Sequence, residues 1–351
     1  MRVNSSRRKP ISKLGATVNR ARLSVIRDMS EFLPTQAMNA SRGVFERMKT
    51  LIGSRIKGKD EAIDSVLICL AAGGHVLIED LPGVGKTTLA YCLAKSMRSE
   101  FKRIQFTSDL LPTDVTGVSI YDERDKSFVF KKGPIFSNIV LADEINRATP
   151  KTQSSLLEVM DHGRVSIDGE TYSVGAPFIV LATQNPVDYE GTFPLPESQM
   201  DRFLMRLQMG YPSAANELEI LGSENSDYND LKFEDPVTPE EIVAIQKAVS
   251  QVFVEDSVLE YILNIVTATR TESEFKAGVS VRGSLALKAA AQSRALYFGR
   301  DFVIPGDVSS VSPAVLSHRL NLRRPSSDAL EERRLVEGIV SRILAVVPQP
   351  N

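Results

Sequence analysis

Cysteine is almost missing from this chain: two residues, Cys69 and Cys92, in 351. Both lie in apolar stretches with helical periodicity, so buried free thiols are expected, which suits a reducing cytosol. Histidine is as scarce, and His75, His162 and His318 stand at no metal-ligand spacing. No apolar run approaches the roughly 20 residues that span a bilayer. Charge is nearly balanced, at net −2, which gives no general electrostatic reason to hold nucleic acid or acidic lipid. What remains is ordinary globular composition, 42% hydrophobic and 25% charged, with enough chain for about two domains at roughly 100–200 residues each.

The first residues differ from the rest. Arg2, Arg7, Arg8, Lys9, Lys13, Arg20, Arg22 and Arg27 all precede the first acid, Asp28. No apolar core follows them, so a secretory signal is not expected. Residues 1–38 read as a basic tail, flexible or docked as a helix on a neighbouring subunit. From 39 to 212, helix-like segments (Ser41–Ile52, Lys59–Ala72, Lys86–Ser99, Pro150–His162, Pro196–Arg202) alternate with strand-like ones (His75–Glu79, Phe101–Gln105, Ile139–Ala142, Phe178–Thr183, Phe203–Gln208). That alternation predicts an α/β core with a mostly parallel sheet covered on both faces. Ser127–Lys132 and Val165–Val174 read as hairpins, the second from Asp168-Gly169 between alternating runs. An acidic, polar linker follows over 213–236. Residues 237–351 then read as a small all-helical domain, opened by the capping signature Thr238-Pro239-Glu240-Glu241.

The chemistry is concentrated in a few short runs. Asp80–Thr88 joins a strand to a helix through a glycine-rich turn ending Gly85-Lys86-Thr87. Glycines let successive backbone N–H groups converge on phosphate oxygens, and a helix N-terminus adds partial positive charge. Gly83, Val84, Gly85, Lys86, Thr87 and Thr88 are the candidate phosphate ligands. The Lys86 ammonium would reach the β- and γ-phosphates and the Thr87 hydroxyl would hold Mg²⁺. The strict form of this motif has glycine where this chain has Asp80. A second run, Ile139–Glu144, is a buried strand ending in two acids. Asp143 would share the metal with Thr87, and Glu144 would polarise the attacking water. Phe178–Asn185 is a third apolar strand, ending in an amide, Asn185, that could orient that water. Arg202 stands at the domain edge, where a guanidinium can be delivered to a neighbour's γ-phosphate. No Asn/Thr-Lys-x-Asp element of guanine recognition follows, which favours adenine.

Taken in order, Ile78–Thr87, Leu141–Ala148, Ala182–Pro186, Pro194–Phe203 and Gly278–Leu287 resemble the MoxR family of AAA+ ATPases over about residues 42–325. The resemblance implies Lys86 and Thr87 as Walker A, Asp143 and Glu144 as Walker B, and Asn185 as sensor 1. It further implies Arg202 as an arginine finger acting in trans and Arg282 as sensor 2, in cis or in trans. Ile56 would pack on adenine. Residues 106–134 resemble the insertion that marks this clade, and 165–174 the hairpin before sensor 1, both tending to face the pore of a ring. The expected cofactors are ATP and Mg²⁺. Expected partners are other copies of the chain in a ring, six being the usual number, a von Willebrand factor A domain protein and an unnamed client complex. The implied function is a cytoplasmic, chaperone-like remodelling ATPase that binds no nucleic acid and does not span the membrane. Two alternatives stay open: a nucleotide-gated scaffold with little turnover, and a chelatase- or DNA-motor-like subunit.

Overall fold

The protein is described by a computed structural model over residues 33–185, 191–222, 233–326 and 328–350. The basic stretch up to residue 32 and residues 223–232 of the acidic segment lie outside the described residues, as do Pro186 and the four residues after it.

Five short apolar strands build the centre: β1 (Val76–Glu79), β2 (Phe101–Gln105), β5 (Ile139–Asp143), β8 (Ile179–Gln184) and β9 (Met205–Leu207). They pair in the order β2-β5-β8-β1-β9, every pairing parallel, with Leu181 level with both Leu141 and Val76, and Val76 level with Met205. Parallel strands need crossovers, so both faces are covered. Val76, Ile78, Leu141 and Leu181 face α1 (Thr35–Arg55), α2 (Asp60–Ala71) and α3 (Lys86–Ser96). Leu77, Val140, Ala142 and Val180 face α5 (Pro150–His162). Between β2 and β5 lie α4 (Pro112–Thr116) and a hairpin of β3 (Gly117–Asp122) with β4 (Ser127–Lys132). A second hairpin pairs β6 (Arg164–Ile167) with β7 (Glu170–Ser173), turning at Asp168 and Gly169, both at positive φ.

Because every pairing is parallel, the sheet has two chemically distinct ends. Glu79, Asp143 and Gln184 finish their strands at the carboxyl end; Val76, Ile139, Ile179 and Met205 begin theirs at the amino end. Even the four-residue β1 separates the two by roughly 13 Å.

A short α6 (Glu197–Met200) lies between β8 and β9, and after the sheet come α7 (Ala214–Gly222), α8 (Pro239–Gln251), α9 (Asp256–Thr271), α10 (Val281–Tyr297), α11 (Pro305–Leu316) and α12 (Ala329–Val346). The capping box at Thr238 forms as the sequence predicts: its hydroxyl accepts from Glu241 N, and the Glu241 carboxylate accepts from Thr238 N. The helical domain shares one hydrophobic core with the α1–α2 layer. Ser293 Oγ donates to Ile68 O at 2.7 Å, the Tyr297 hydroxyl to Asp64 at 2.6 Å, and Gln246 Nε2 to Leu70 O at 2.8 Å. This helical domain, a lid on the α/β core, is therefore rooted on its own core.

Several boundaries differ from the sequence reading, most by one to three residues. α1 starts at Thr35, inside the expected tail, because Leu33 is buried and Pro34 O accepts from Ala37 N and Met38 N. Part of the expected linker is helical: α7 is held by an ion pair between Glu219 and Lys57 at 2.9 Å. Helix α11 runs twelve residues, continuing past Pro313. Its buried Asp307 carboxylate is neutralised by Arg294 and Arg300, both at 2.6 Å.

Candidate functional site

At the carboxyl end, β1 passes through Asp80–Gly85 into α3. Gly83 and Gly85 stand at φ 81° and 93°, a region that favours glycine. A Cβ on Gly83 would meet nothing within 4 Å, so the space before the loop is open. Burial lowers the Lys86 pKa, opposed by Asp143, Asp80 and Glu144. The ammonium donates to Asp80 O at 2.8 Å.

The non-glycine at Asp80 has a physical reason. Its Oδ2 accepts from Met209 N and Gly210 N, both at 2.6 Å, and its Oδ1 from Leu81 N at 2.8 Å. The same 209–211 segment gives its carbonyls to Lys59 Nζ, at 2.7, 2.9 and 2.7 Å. Asp80 thus clamps the loop to the segment that leaves β9, and charged acceptors make such bonds strong. Ile56 is buried at the C-cap of α1.

Asp143 and Glu144 close β5 beside this loop. Thr183 Oγ1 donates to Asp143 Oδ1 at 2.5 Å and accepts from Glu144 N at 2.9 Å. Glu144 is held at φ 57°, a left-handed conformation uncommon outside glycine and frequent at functional sites. Its carboxylate accepts from Gln105 Nε2 at 3.1 Å and pairs with Arg147 at 3.0 Å. Arg103, two residues before Gln105 on β2, donates to Asp143 Oδ2 at 3.1 and 2.6 Å. Asn185 follows β8 at the same end.

Among the described residues no group of three or more His, Cys, Asp or Glu could hold a metal. A carboxylate and a hydroxyl beside an open glycine loop do fit Mg²⁺, whose usual protein ligands are one or two oxygens with substrate phosphates completing the shell.

The amino end carries the arginines. Arg202 Nη1 pairs with Asp161 Oδ2 at 2.9 Å and donates to Leu157 O. Arg282 Nη2 pairs with Asp161 Oδ1 at 3.3 Å. The neighbouring Asp201 accepts from Arg319 Nε at 2.7 Å and from Ser280 Oγ, the N-cap of α10, at 3.0 Å. His75 lies beneath: its Nε2–H donates to Met160 O at 3.1 Å and its Nδ1 accepts from Val180 N at 3.0 Å. Both ring nitrogens are satisfied only in the neutral form, and burial pushes its pKa down to about 4. His318, 3.0 Å from Phe203 O, is also driven well below the ordinary value by burial and by Arg319 and Arg206.

The sequence-predicted residues therefore fall into two groups. Gly83–Thr88, Asp143, Glu144 and Asn185 converge at the carboxyl end; Arg202 and Arg282 meet at the amino end. Sequence reasoning missed Arg103, Gln105, Thr183, Asp161, Asp201 and Arg319. Arg103 and Gln105 had a signal: on a strand they share one face, and Gln105 is level with Asp143. Asp161 and Arg319 had none in their local sequence.

A five-stranded parallel sheet with a phosphate loop after its first strand, acids ending a strand one removed from it, with β8 between, and an appended helical lid defines the class, a AAA+ module. The family described as "ATPase family associated with various cellular activities (AAA)" matches residues 75–205, and the AAA lid domain matches 267–339. Chaperone MoxR1 of Mycobacterium tuberculosis is 39% identical over 92% of this chain and 85% of its own length. The uncharacterised protein YeaC of Bacillus subtilis is 49% identical over 86% of this chain and 92% of its own. A crystal structure from Cytophaga hutchinsonii superposes with TM-score 0.80 at 36% identity, covering 90% of this chain and 98% of that one. The chain belongs to the MoxR family of AAA+ ATPases.

Proposed function

We propose that the chain is an ATP-hydrolysing subunit of a homo-oligomeric ring, with each active site divided between two subunits. The observation that carries this is the separation of the two groups: Arg202 and Arg282 stand at the amino end of the sheet, a strand length or more from their own phosphate loop. They cannot serve the nucleotide bound there, but a neighbour that docks its phosphate loop against this face receives both. In this reading sensor 2 acts in trans, and the rooting of the lid on its own core fixes it there.

The roles follow from position. The backbone of Gly83–Thr88 and the Lys86 ammonium bind the phosphates of ATP, with Ile56 contributing to the adenine side. Thr87 and Asp143 hold Mg²⁺, which when bound neutralises developing charge on the phosphates. Glu144 accepts a proton from the attacking water, and Asn185 orients that water. Arg202 and Arg282 from the neighbour stabilise charge on the transferred phosphoryl group. Because lid and core of one subunit share a hydrophobic core, turnover moves subunit against subunit, and that motion remodels or activates a client complex. The chaperone name belongs to the mycobacterial relative; a client, a von Willebrand factor A domain partner, a six-fold ring and a cytoplasmic setting are carried here as parts of this proposal. The buried thiols, with pKa values raised by desolvation, suit a reducing compartment.

ATP turnover per subunit measured against protein concentration tests this. It should fall steeply as the ring dissociates; turnover unchanged down to a demonstrated monomer contradicts it.

One contact favours a second reading, a nucleotide-gated scaffold with little turnover. Arg103 must leave Asp143 Oδ2 before that oxygen can serve a cation. Wild-type turnover in Glu144→Gln would support the scaffold.

A further inference from the structure

The amino end of the sheet contains an arrangement that the roles above do not explain. Two arginines from different domains, Arg202 at the end of the core and Arg282 on α10 of the lid, approach the two oxygens of one carboxylate, Asp161. We infer that Asp161 is a positioning residue that joins the two arginines into a single bidentate element presented to the neighbouring subunit's nucleotide. This rests on the divided-site reading and deepens it.

Three observations carry the inference. Asp161 sits in the last turn of α5, where the helix dipole disfavours an anion. A residue placed against that field needs compensating cations, and the two arginines supply them, while His75 beside it has both ring nitrogens satisfied in its neutral form. Next, the arginines are unequally engaged. The Arg282 side chain is 51% exposed against 17% for Asp161, so it can turn to another anion without leaving the cluster. Arg202 is more enclosed, yet its Nε is buried with no hydrogen-bond partner. A buried unpaired donor is costly, and the bonds of Arg202 to Asp161 and to Leu157 O hold the side chain in place against that cost. Finally, both backbones that carry the arginines are fixed by one further acid: Asp201, preceding Arg202, accepts from Ser280, the N-cap of the helix that carries Arg282. Two like charges placed side by side repel and are entropically expensive to hold. A shared carboxylate removes the repulsion and sets their spacing before the nucleotide arrives, which is where preorganised electrostatics act.

The test uses mixed rings of the full chain. An acceptor, Arg202→Ala with Arg282→Ala, keeps its phosphate loop and lacks the arginines. A donor, Lys86→Ala, keeps the arginines and lacks a working loop. With Asp161→Asn added to the donor, turnover of the mixture should drop at least tenfold, while the ATP concentration for half-maximal rate stays the same; Asp161→Glu in the donor should restore most of the rate. Added to the acceptor, Asp161→Asn has no arginines to hold, and the mixture should keep its rate. An unchanged rate with the altered donor, or an equal loss whichever subunit carries the change, overturns the inference, the second result marking a general folding effect. If donor and acceptor with native Asp161 fail to restore turnover, the divided-site reading itself falls, and Asp161 with it.

Discussion

At the carboxyl end of the sheet the chemistry-bearing residues come in runs: Gly83 to Thr88 in one turn, Asp143 with Glu144, and Asn185 one residue past β8. At the amino end they are scattered, Asp161, the pair Asp201-Arg202, Arg282 and Arg319, each separated from the next by tens of residues. The carboxyl end must wrap a flexible polyphosphate with consecutive backbone N–H groups, which only a contiguous loop can do. The amino end must present long cationic side chains to another molecule, and any element that reaches the surface there can contribute one. The first end is therefore written locally, and the second exists only once α5, the start of β9 and the lid have packed together.

The sharpest break in this symmetry is expected from Arg202→Ala. Turnover in the ring should fall by ~10³–10⁵, the range for loss of an arginine finger. ATP binding to the altered subunit's own loop should be unchanged, as read by titration with a fluorescent ATP analogue. Glu144→Gln, at the other end, should cost ~10²–10⁴ in turnover, as expected for loss of a general base. ATP should then stay bound without being consumed, and a pull-down in ATP should retain client. If Arg202→Ala weakens binding to its own subunit as strongly as a change in the phosphate loop does, the two ends are not separate.

A smaller effect sharpens the role of Asp80. Asp80→Gly restores the strict glycine of the motif but removes the Oδ2 that accepts from both Met209 N and Gly210 N. Loss of such charge-assisted bonds should cost about 1.5–3 kcal/mol, visible as a lower Tm in the absence of nucleotide. An equal or higher Tm would mean that the clamp contributes nothing.

A further prediction concerns pH. A histidine whose folded pKa is depressed takes up its proton in the unfolded chain first. Stability is therefore complete above the unfolded value of about 6.5 and declines as pH falls toward about 4, where the folded His75 also protonates. That interval corresponds to roughly 3 kcal/mol for His75, and His318 shifts in the same direction. Urea unfolding between pH 7 and pH 4 should show the loss, and His75→Gln should shrink it.

The same contrast explains how much could be read from the sequence. The α/β core, the Thr238 cap and the loop from Gly83 to Thr88 all follow from periodicity and turn chemistry within windows of ten to fifteen residues, and the strand ends follow to within two residues. Helix α5 emerges with the predicted bounds, but nothing within its sequence marks Asp161 as different from any other acid at a helix end. Asp80 reads as a departure from a motif because its partners, Met209 and Gly210, stand 129 and 130 positions away. Asp201 and Arg319, 118 positions apart, are legible only in three dimensions. The helical start at Thr35 was hidden because polar residues of α1 surround a narrow buried stripe of Val44, Phe45, Met48 and Ile52.

The division of the site between subunits is tested most directly by mixing Lys86→Ala with Arg202→Ala, each inactive alone, and measuring ATP turnover of the equimolar mixture. The account predicts a rate well above the sum of the two, because the Lys86→Ala subunit supplies Arg202 to its neighbour's intact loop. A mixture no faster than its parts, with mixed rings demonstrated by native mass spectrometry, would contradict it.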